Sequence, residues 1–262
     1  MNPLWNGLKS PLWSSTRQGV WFPLGGSPQA GGGSSAFDPL TLYSGGKKGF
    51  WIKPRDWTTL RQSYLGTTAV TTAGDPVGYA ADQSGNTTNT INANAPGRPV
   101  AATVGAVDCI DLDGVDDRLV SGTVVAGTWT TMDFFIVLNL DAAASFLLGD
   151  DDAGRYFGIG QNGAGTSPSS GAGSPSYAVN GVAVPGGTSA TRDQLYDAMG
   201  FTTWKVVEVN GADLSLWTKL QFGAYSGFQL NGKVAEVILC ESQPASRAAI
   251  RTYLGAQVGL TL

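Results

Sequence analysis

The sequence predicts an all-β chain: a two-sheet antiparallel β-sandwich with an extended N-terminal arm before it and a helix near its C-terminal end. Three observations predict it. Short runs rich in β-branched and aromatic residues recur along the chain, roughly 8–12 residues apart. Each run is bounded by Gly, Asn, Asp or Pro, and only two segments carry a helical pattern. Glycine is abundant, 37 of 262 residues. Charged residues make up 14%, against about a quarter of an average soluble chain.

Residues 1–37 differ from the rest of the chain. They hold no Asp or Glu, two cations (Lys9 and Arg17), and three of the eight tryptophans. Trp5, Trp13 and Trp21 recur at every eighth position; Pro3-Leu4-Trp5 and Pro11-Leu12-Trp13 repeat outright, and Val20-Trp21-Phe22-Pro23 is a looser echo. In an extended chain an even spacing sends all three indoles to one side, and the prolines at 3, 11, 23 and 28 forbid a continuous helix. The arm could fold back over its own domain or dock into another subunit. Gly31-Gly32-Gly33-Ser34-Ser35 is a flexible-linker composition, which favours docking through Trp5, Trp13, Trp21 and Phe22. The expected division is therefore 1–37, arm and linker, and 38–262, a β domain.

Within that domain, Gly49 to Lys53 is a compact strand. Val107 to Asp113 alternates, with Ile110 and Leu112 on one face and Cys109 and Asp111 on the other. Trp129 to Leu140 is the longest β-rich run. Ser145–Leu148, Arg155–Ile159, Tyr177–Val184, Trp204–Val209, Leu214–Phe222 and Lys233–Cys240 come after it. Asn180-Gly181, Asn210-Gly211 and Asn231-Gly232 are dipeptides that favour tight hairpin turns. Thr191 to Met199 reads as a helix with Thr191 as N-cap and Gly200 as stop. Ser242 to Val258 reads as a second, with Pro244 in its first turn and Gly259 beyond its end.

Composition removes several classes of chemistry. Histidine is absent, so no mechanism built on an imidazole is available. Two cysteines, Cys109 and Cys240, can build neither a zinc ribbon nor a CxxC pair; buried free thiols are expected, with a disulfide open only if their strands are neighbours. A net charge of -4 argues against nucleic acid as the main partner. No apolar run is long enough to insert in a membrane, and Met1 to Lys9 lacks the pattern of a signal peptide. No cofactor is expected.

A set of short words in order carries a resemblance. It opens with Trp51-Ile52-Lys53-Pro54-Arg55-Asp56 and continues through Gly74-Asp75-Pro76-Val77-Gly78, Asp82-Gln83-Ser84-Gly85-Asn86 and Arg98-Pro99. It closes with Ile110-Asp111-Leu112-Asp113-Gly114-Val115-Asp116-Asp117-Arg118-Leu119. Together these resemble the concanavalin A-like, laminin-G-type jelly rolls that recur in structural proteins of tailed phages and in some bacterial surface proteins. Asn231 to Leu239 followed by a helix is similar to that family's last strand and closing helix. Leu112 departs from the pattern where an aromatic is common. The resemblance spans roughly residues 47–262, weakly from 141 to 200. It implies a jelly-roll sandwich with a binding or structural role, and a packing and hydrogen-bonding role for Glu236.

Candidate sites are few. Asp111, Asp113, Asp116 and Asp117 gather carboxylates of a kind that suits Ca²⁺, yet Asp-Gly and Asp-Asp turns need the same residues for backbone capping, and a strand-ending turn is expected. Asp150-Asp151-Asp152 reads as a solvated loop tip, and is the better metal candidate of the two. Glu208 and Glu236 are borne on strands, but no Glu-x-Asp-x-x-Glu word of the sandwich glucanases occurs, so no catalysis is expected. Gly158-x-Gly160-x-x-Gly163 lacks a following helix and reads as a loop. Tyr156, Tyr177, Tyr225 and Phe228 lie near strand ends and are candidate aromatic contacts for a glycan.

The expected role is that of a virion structural protein of a tailed phage or phage-like particle: a head spike or fibre, a decoration protein or a tail-fibre component. Its arm would bind capsid or tail proteins, and its sandwich would meet the host surface, with bacterial surface polysaccharide as a candidate ligand. It is expected to be assembled in the host cytoplasm as a homo-oligomer. The alternative is a free carbohydrate-binding module; a glycan hydrolase ranks last.

Overall fold

A computed structural model describes residues 37–262, apart from residues 93, 122–127, 143–145, 151–153, 160–165 and 226–227 and the side chains of residues 224, 225 and 228. Trp5, Trp13, Trp21 and Phe22 lie outside the described residues. The chain divides into two units, Met1–Ala36 and Phe37–Leu262; all the elements named below belong to the second.

In chain order the strands begin with β1 (Gly49–Ile52), β2 (Leu60–Arg61), β3 (Tyr79–Ala80), β4 (Thr90–Ile91), β5 (Val100–Val104) and β6 (Val107–Asp113). Next come β7 (Leu119–Ser121), β8 (Met132–Leu140), β9 (Phe146–Asp150), β10 (Arg155–Gly158), β11 (Ser169–Ser170) and β12 (Ser176–Val179). The last six are β13 (Val182–Ala183), β14 (Lys205–Ala212), β15 (Gln221–Phe222), β16 (Ala224–Tyr225), β17 (Phe228–Gln229) and β18 (Asn231–Glu241). Two α-helices, α1 (Arg192–Met199) and α2 (Arg247–Gln257), join them.

The strands form two antiparallel sheets packed as a sandwich. Sheet A runs β13-β12-β14-β8-β18-β6-β5, with β1 pairing the later part of β18; sheet B runs β11-β10-β9-β15-β7-β4-β3-β2. β16 and β17 form a separate hairpin.

The longest apolar run in the sequence becomes the centre of sheet A. All nine residues of β8 are buried, as expected of a strand covered on both faces. Phe134, Ile136 and Leu138 point into the core between the sheets, whereas Phe135 and Val137 point the other way, under α2. Across the inner core Phe134 stacks on Phe157 of sheet B at 5.9 Å, and Phe50 meets Phe222 edge-on at 5.4 Å. The outer core joins Ile250 and Leu254 of α2 to Cys109, Val206, Ile238 and Cys240. The body is thus three layers: sheet B, sheet A and α2.

β18 reaches the same arrangement through a bulge. The register against β8 shifts between Val234 and Glu236, the local effect of one extra residue on a strand. Val234, Val237 and Leu239 belong to the inner core, whereas Ala235, Ile238 and Cys240 belong to the outer one. Where β1 crosses β18 the backbones approach closely: Gly49 has φ +133°, and a Cβ there would lie 1.9 Å from the Leu239 carbonyl oxygen. Only glycine fits that contact.

The helices follow their end signals. Thr191 caps α1 with a full capping box: its hydroxyl accepts from the Gln194 amide, and the Gln194 side chain accepts from the Thr191 amide at 2.8 Å. Gly200 closes the helix with φ +61°. α2 is shorter than the expected Ser242–Val258, because Pro244–Ser246 forms a separate 3-10 turn before it.

Three strand expectations need correction. Asn180-Gly181 does turn between β12 and β13, but Asn210-Gly211 lies inside β14, where the register against β8 shifts. Its Gly211 amide donates to the buried Asp133 carboxylate at 2.9 Å, a partner that a hairpin would not need. Asn231-Gly232 likewise lies within β18, paired to β6 and β8 at once. Of the run Leu214–Phe222, only Gln221–Phe222 is a strand. Leu214, Trp217 and Leu220 are all fully buried at three-residue spacing, and the Trp217 amide donates back to the Leu214 carbonyl. That is a turn rather than period-two alternation.

Candidate functional site

Four of the buried carboxylates are held by arginines. On the face of sheet A under α2, period-two alternation places Asp133 on β8 and Glu208 on β14, and the bulge of β18 adds Glu236. All three have essentially no exposed surface. Arg247 and Arg251, four residues apart on α2, share one helix face. Arg247 donates two hydrogen bonds of 2.8 Å to Asp133, and Arg251 donates bonds of 2.5 and 3.1 Å to Glu208.

Glu236 is surrounded by donors. It accepts from Trp51 Nε1 at 2.7 Å, Tyr253 Oη at 2.9 Å and Arg55 Nε at 2.5 Å. Burial and the Glu236 charge push the Tyr253 hydroxyl well above its ordinary range. Burial works against the charge on Arg55, but Glu236 beside it holds that guanidinium protonated above its usual value. The bonding role expected of Glu236 is present, and Glu236 and Glu208 serve to pin α2 and the β1–β2 segment to sheet A.

The Asp-rich turn caps itself. The Asp113 carboxylate accepts from the Val115 amide at 2.7 Å, and Asp117 accepts from the Asp113 amide at 2.9 Å. Asp113, Asp116 and Asp117 bring carboxylate oxygens within 4.8 Å of one another. Burial, against the pull of the Asp113 amide, pushes the Asp117 carboxyl up to about 6, helped by the neighbouring acids. Asp111 sits apart and faces Lys233 at 3.5 Å.

Asp150 is not a solvated loop tip. It is the last residue of β9, has no exposed surface, and accepts from the Thr218 amide at 2.8 Å and from Arg155 at 3.4 Å. Its carboxylate fastens the Leu214–Leu220 turn to sheet B. Asp151 and Asp152 lie outside the described residues.

The candidate aromatic contacts part company. Tyr177, on β12, is 2% exposed and belongs to the inner core, so it cannot serve as a surface platform. The sequence places it near a strand end, but the register Tyr177↔Val209 turns it inward. Tyr225 lies in β16 and Phe228 in β17, and the side chains of both lie outside the described residues. Tyr156 is half-buried on β10. It belongs to an unbroken cross-strand row on the outer face of sheet B, in the order Arg61, Tyr79, Ile91, Val120, Gln221, Gly149, Tyr156, Ser170.

Two residues that sequence reasoning missed stand beside Tyr156. Phe146 meets it edge-on at 4.6 Å. Arg192, the first residue of α1, lies across both rings, with its guanidinium carbon 4.7 Å from the Tyr156 centroid and 5.0 Å from that of Phe146. The Thr191 N-cap placed a helix start at this position, but nothing local announced what that start would pack against.

Cys109 and Cys240 are both buried and free. Their strands are neighbours, yet β6 meets β18 with Ile110 opposite Val234, six positions from Cys240, too far for a disulfide.

A comparison with protein-family models finds no match, and a comparison with the curated proteins finds none. Among solved structures, Trypanosoma rangeli sialidase in complex with the inhibitor DANA is similar over 78% of this chain, with 13% identity and a TM-score of 0.41. The match spans 36% of that chain, about a third of its length.

Proposed function

We propose that this chain is a structural, non-catalytic component of a tailed-phage or phage-like particle, attached through residues 1–37 and presenting its sandwich to the host surface. The observation that carries this reading is the tryptophan repeat. Trp5, Trp13 and Trp21 sit at even spacing in a proline-broken segment that stands outside the unit Phe37–Leu262. A large aromatic buries on the order of 150–250 Å², so three indoles on one side of an extended segment suit a docking strip. The resemblance of its short words to phage jelly rolls supports the same reading, as do Glu208 and Glu236, each engaged by arginine. In this reading the partners are capsid or tail proteins and further copies of the chain.

The test is deletion of residues 1–37. The remainder is expected to fold and stay soluble while losing incorporation into the particle, and unchanged incorporation overturns the proposal.

A glycan-contacting role is a second reading, compatible with the first. It is favoured by one observation, the half-buried Tyr156 with a cation laid against it on the outer face of sheet B.

A further inference from the structure

We propose that Asn180 is a modification site, the place among the described residues where this chain converts a side-chain amide into an acid with water as the co-reactant. Five Asn-Gly pairs stand in the sequence; those that begin at Asn6 and Asn162 lie outside the described residues. In such a pair the backbone nitrogen reaches the preceding side-chain amide with least hindrance, because glycine brings no Cβ to the approach. The Gly181 nitrogen gives up its proton and bonds to Asn180 Cγ. The Cγ–Nδ2 bond breaks, ammonia leaves with that proton, and a five-membered succinimide remains. Water then opens either of its carbonyls, leaving aspartate or isoaspartate at position 180.

The fold exposes this pair and encloses the other two. Val179 pairs with Val182, so Asn180 and Gly181 make up the whole loop between β12 and β13, with φ +51° and +80°. Gly181 and both residues of β13 are exposed, and β13 is a two-residue strand at the edge of sheet A. Ring closure needs the Asn180 backbone to swing out of its turn, and a short exposed edge hairpin opens with little loss of contacts. Asn210-Gly211 sits in β14 between β12 and β8, and its Gly211 amide donates to the Asp133 carboxylate. Asn231-Gly232 lies between β6 and β8, where a Cβ on Gly232 would come within 2.6 Å of the Asn139 carbonyl oxygen. Neither can close the ring without opening the centre of sheet A.

Two neighbours of the turn favour the reaction. The Val206 amide donates to Asn180 Oδ1 at 2.8 Å, on the oxygen where negative charge gathers as the ring closes. Arg251 lies along Gly181, so that a Cβ there would stand 2.8 Å from its Nε, and its charge favours loss of the amide proton. The product places a new carboxylate beside Arg251, and its isoaspartate form adds a methylene to the main chain of a two-residue loop.

The test incubates the full chain at neutral and mildly alkaline pH, native and in urea, and follows the three asparagines by peptide mass and isoaspartate content. In urea all three are expected to convert at similar rates. In the native protein Asn180 is expected to convert at least about tenfold faster than Asn210 or Asn231, a barrier difference of about 1.4 kcal/mol. Its rate is expected to rise with pH, because the attacking nitrogen must lose its proton. Equal native rates at the three, faster conversion at Asn210 or Asn231, or an Asn180 that stays intact in the native protein overturns the assignment. Neither result touches the attachment role of residues 1–37.

Discussion

Arg247 grips Asp133 through two hydrogen bonds of 2.8 Å, and the carboxylate it holds is wholly enclosed between α2 and the centre of sheet A. Amides of Gly211 and Gln243 complete the shell of Asp133 at 2.9 and 3.3 Å. The pair therefore ties three separate pieces of chain to β8: the bulge of β14, the turn before α2, and α2 itself. Arg251 repeats the device one helical turn later on Glu208.

Removing the arginine leaves a buried charge with only two amides for company. Breaking a buried pair from one side costs about 3–5 kcal/mol, and the surviving amides place Arg247→Ala at about 3 kcal/mol. Adding Asp133→Asn to that variant is expected to recover part of the loss, because the buried charge then disappears with its partner. Denaturant midpoints of the three proteins check this. A loss under about 1 kcal/mol for Arg247→Ala would show that Asp133 is far better solvated than its enclosure implies.

What could be foreseen in the chain, and what could not, divides by range. Thr191 and Gly200 announced α1 because an N-cap and a glycine stop act over a few residues. The β-rich run Trp129 to Leu140 announced a strand for the same reason, though not that it would be covered on both faces. Asn210-Gly211 misled because its turn preference is local, whereas the acceptor that stabilises a bulge there is Asp133, 78 residues away. The carboxylate pairs were equally hidden. Arg55 and Glu236 are 181 residues apart, and Arg247 and Asp133 114, so no motif spacing joins them. Glu236 was foreseen as a bonding residue only through the family resemblance, while Arg192 against Tyr156 depends on how α1 meets sheet B.

The two thiols give a check on the core between sheet A and α2. Cys109 and Cys240 have no exposed surface, and burial pushes each thiol up to about 12. The reactive thiolate is thus scarce at neutral pH, and the sulfur is out of reach of reagent. In the native protein both are expected to react with a disulfide reagent only as fast as the outer core opens, with two equivalents released promptly in denaturant. Immediate native reaction of either one would mean that its side of the core is open.

Asp117 makes the Asp-rich turn sensitive to pH, and the sign is set by its environment. Burial, with Asp113, Asp116 and Asp111 nearby, raises its carboxyl from the ordinary 3.8 to about 6. The folded state therefore holds this proton more tightly than the unfolded one, and stability falls as pH rises between those values. The contribution is fully present below the unfolded value and lost above the folded one. Asp117→Asn stays neutral throughout and keeps a carbonyl oxygen to accept from the Asp113 amide. A tenfold change in a proton equilibrium is worth about 1.4 kcal/mol, and partial access of water to the turn leaves about 1 kcal/mol here. The variant is expected to be more stable than the native protein by that amount near pH 7, with the difference closing toward pH 4. Urea midpoints taken across this range decide it: a gap that stays constant, or opens as the solution is acidified, would show that Asp117 is held as the charged form and that the turn depends on its negative charge.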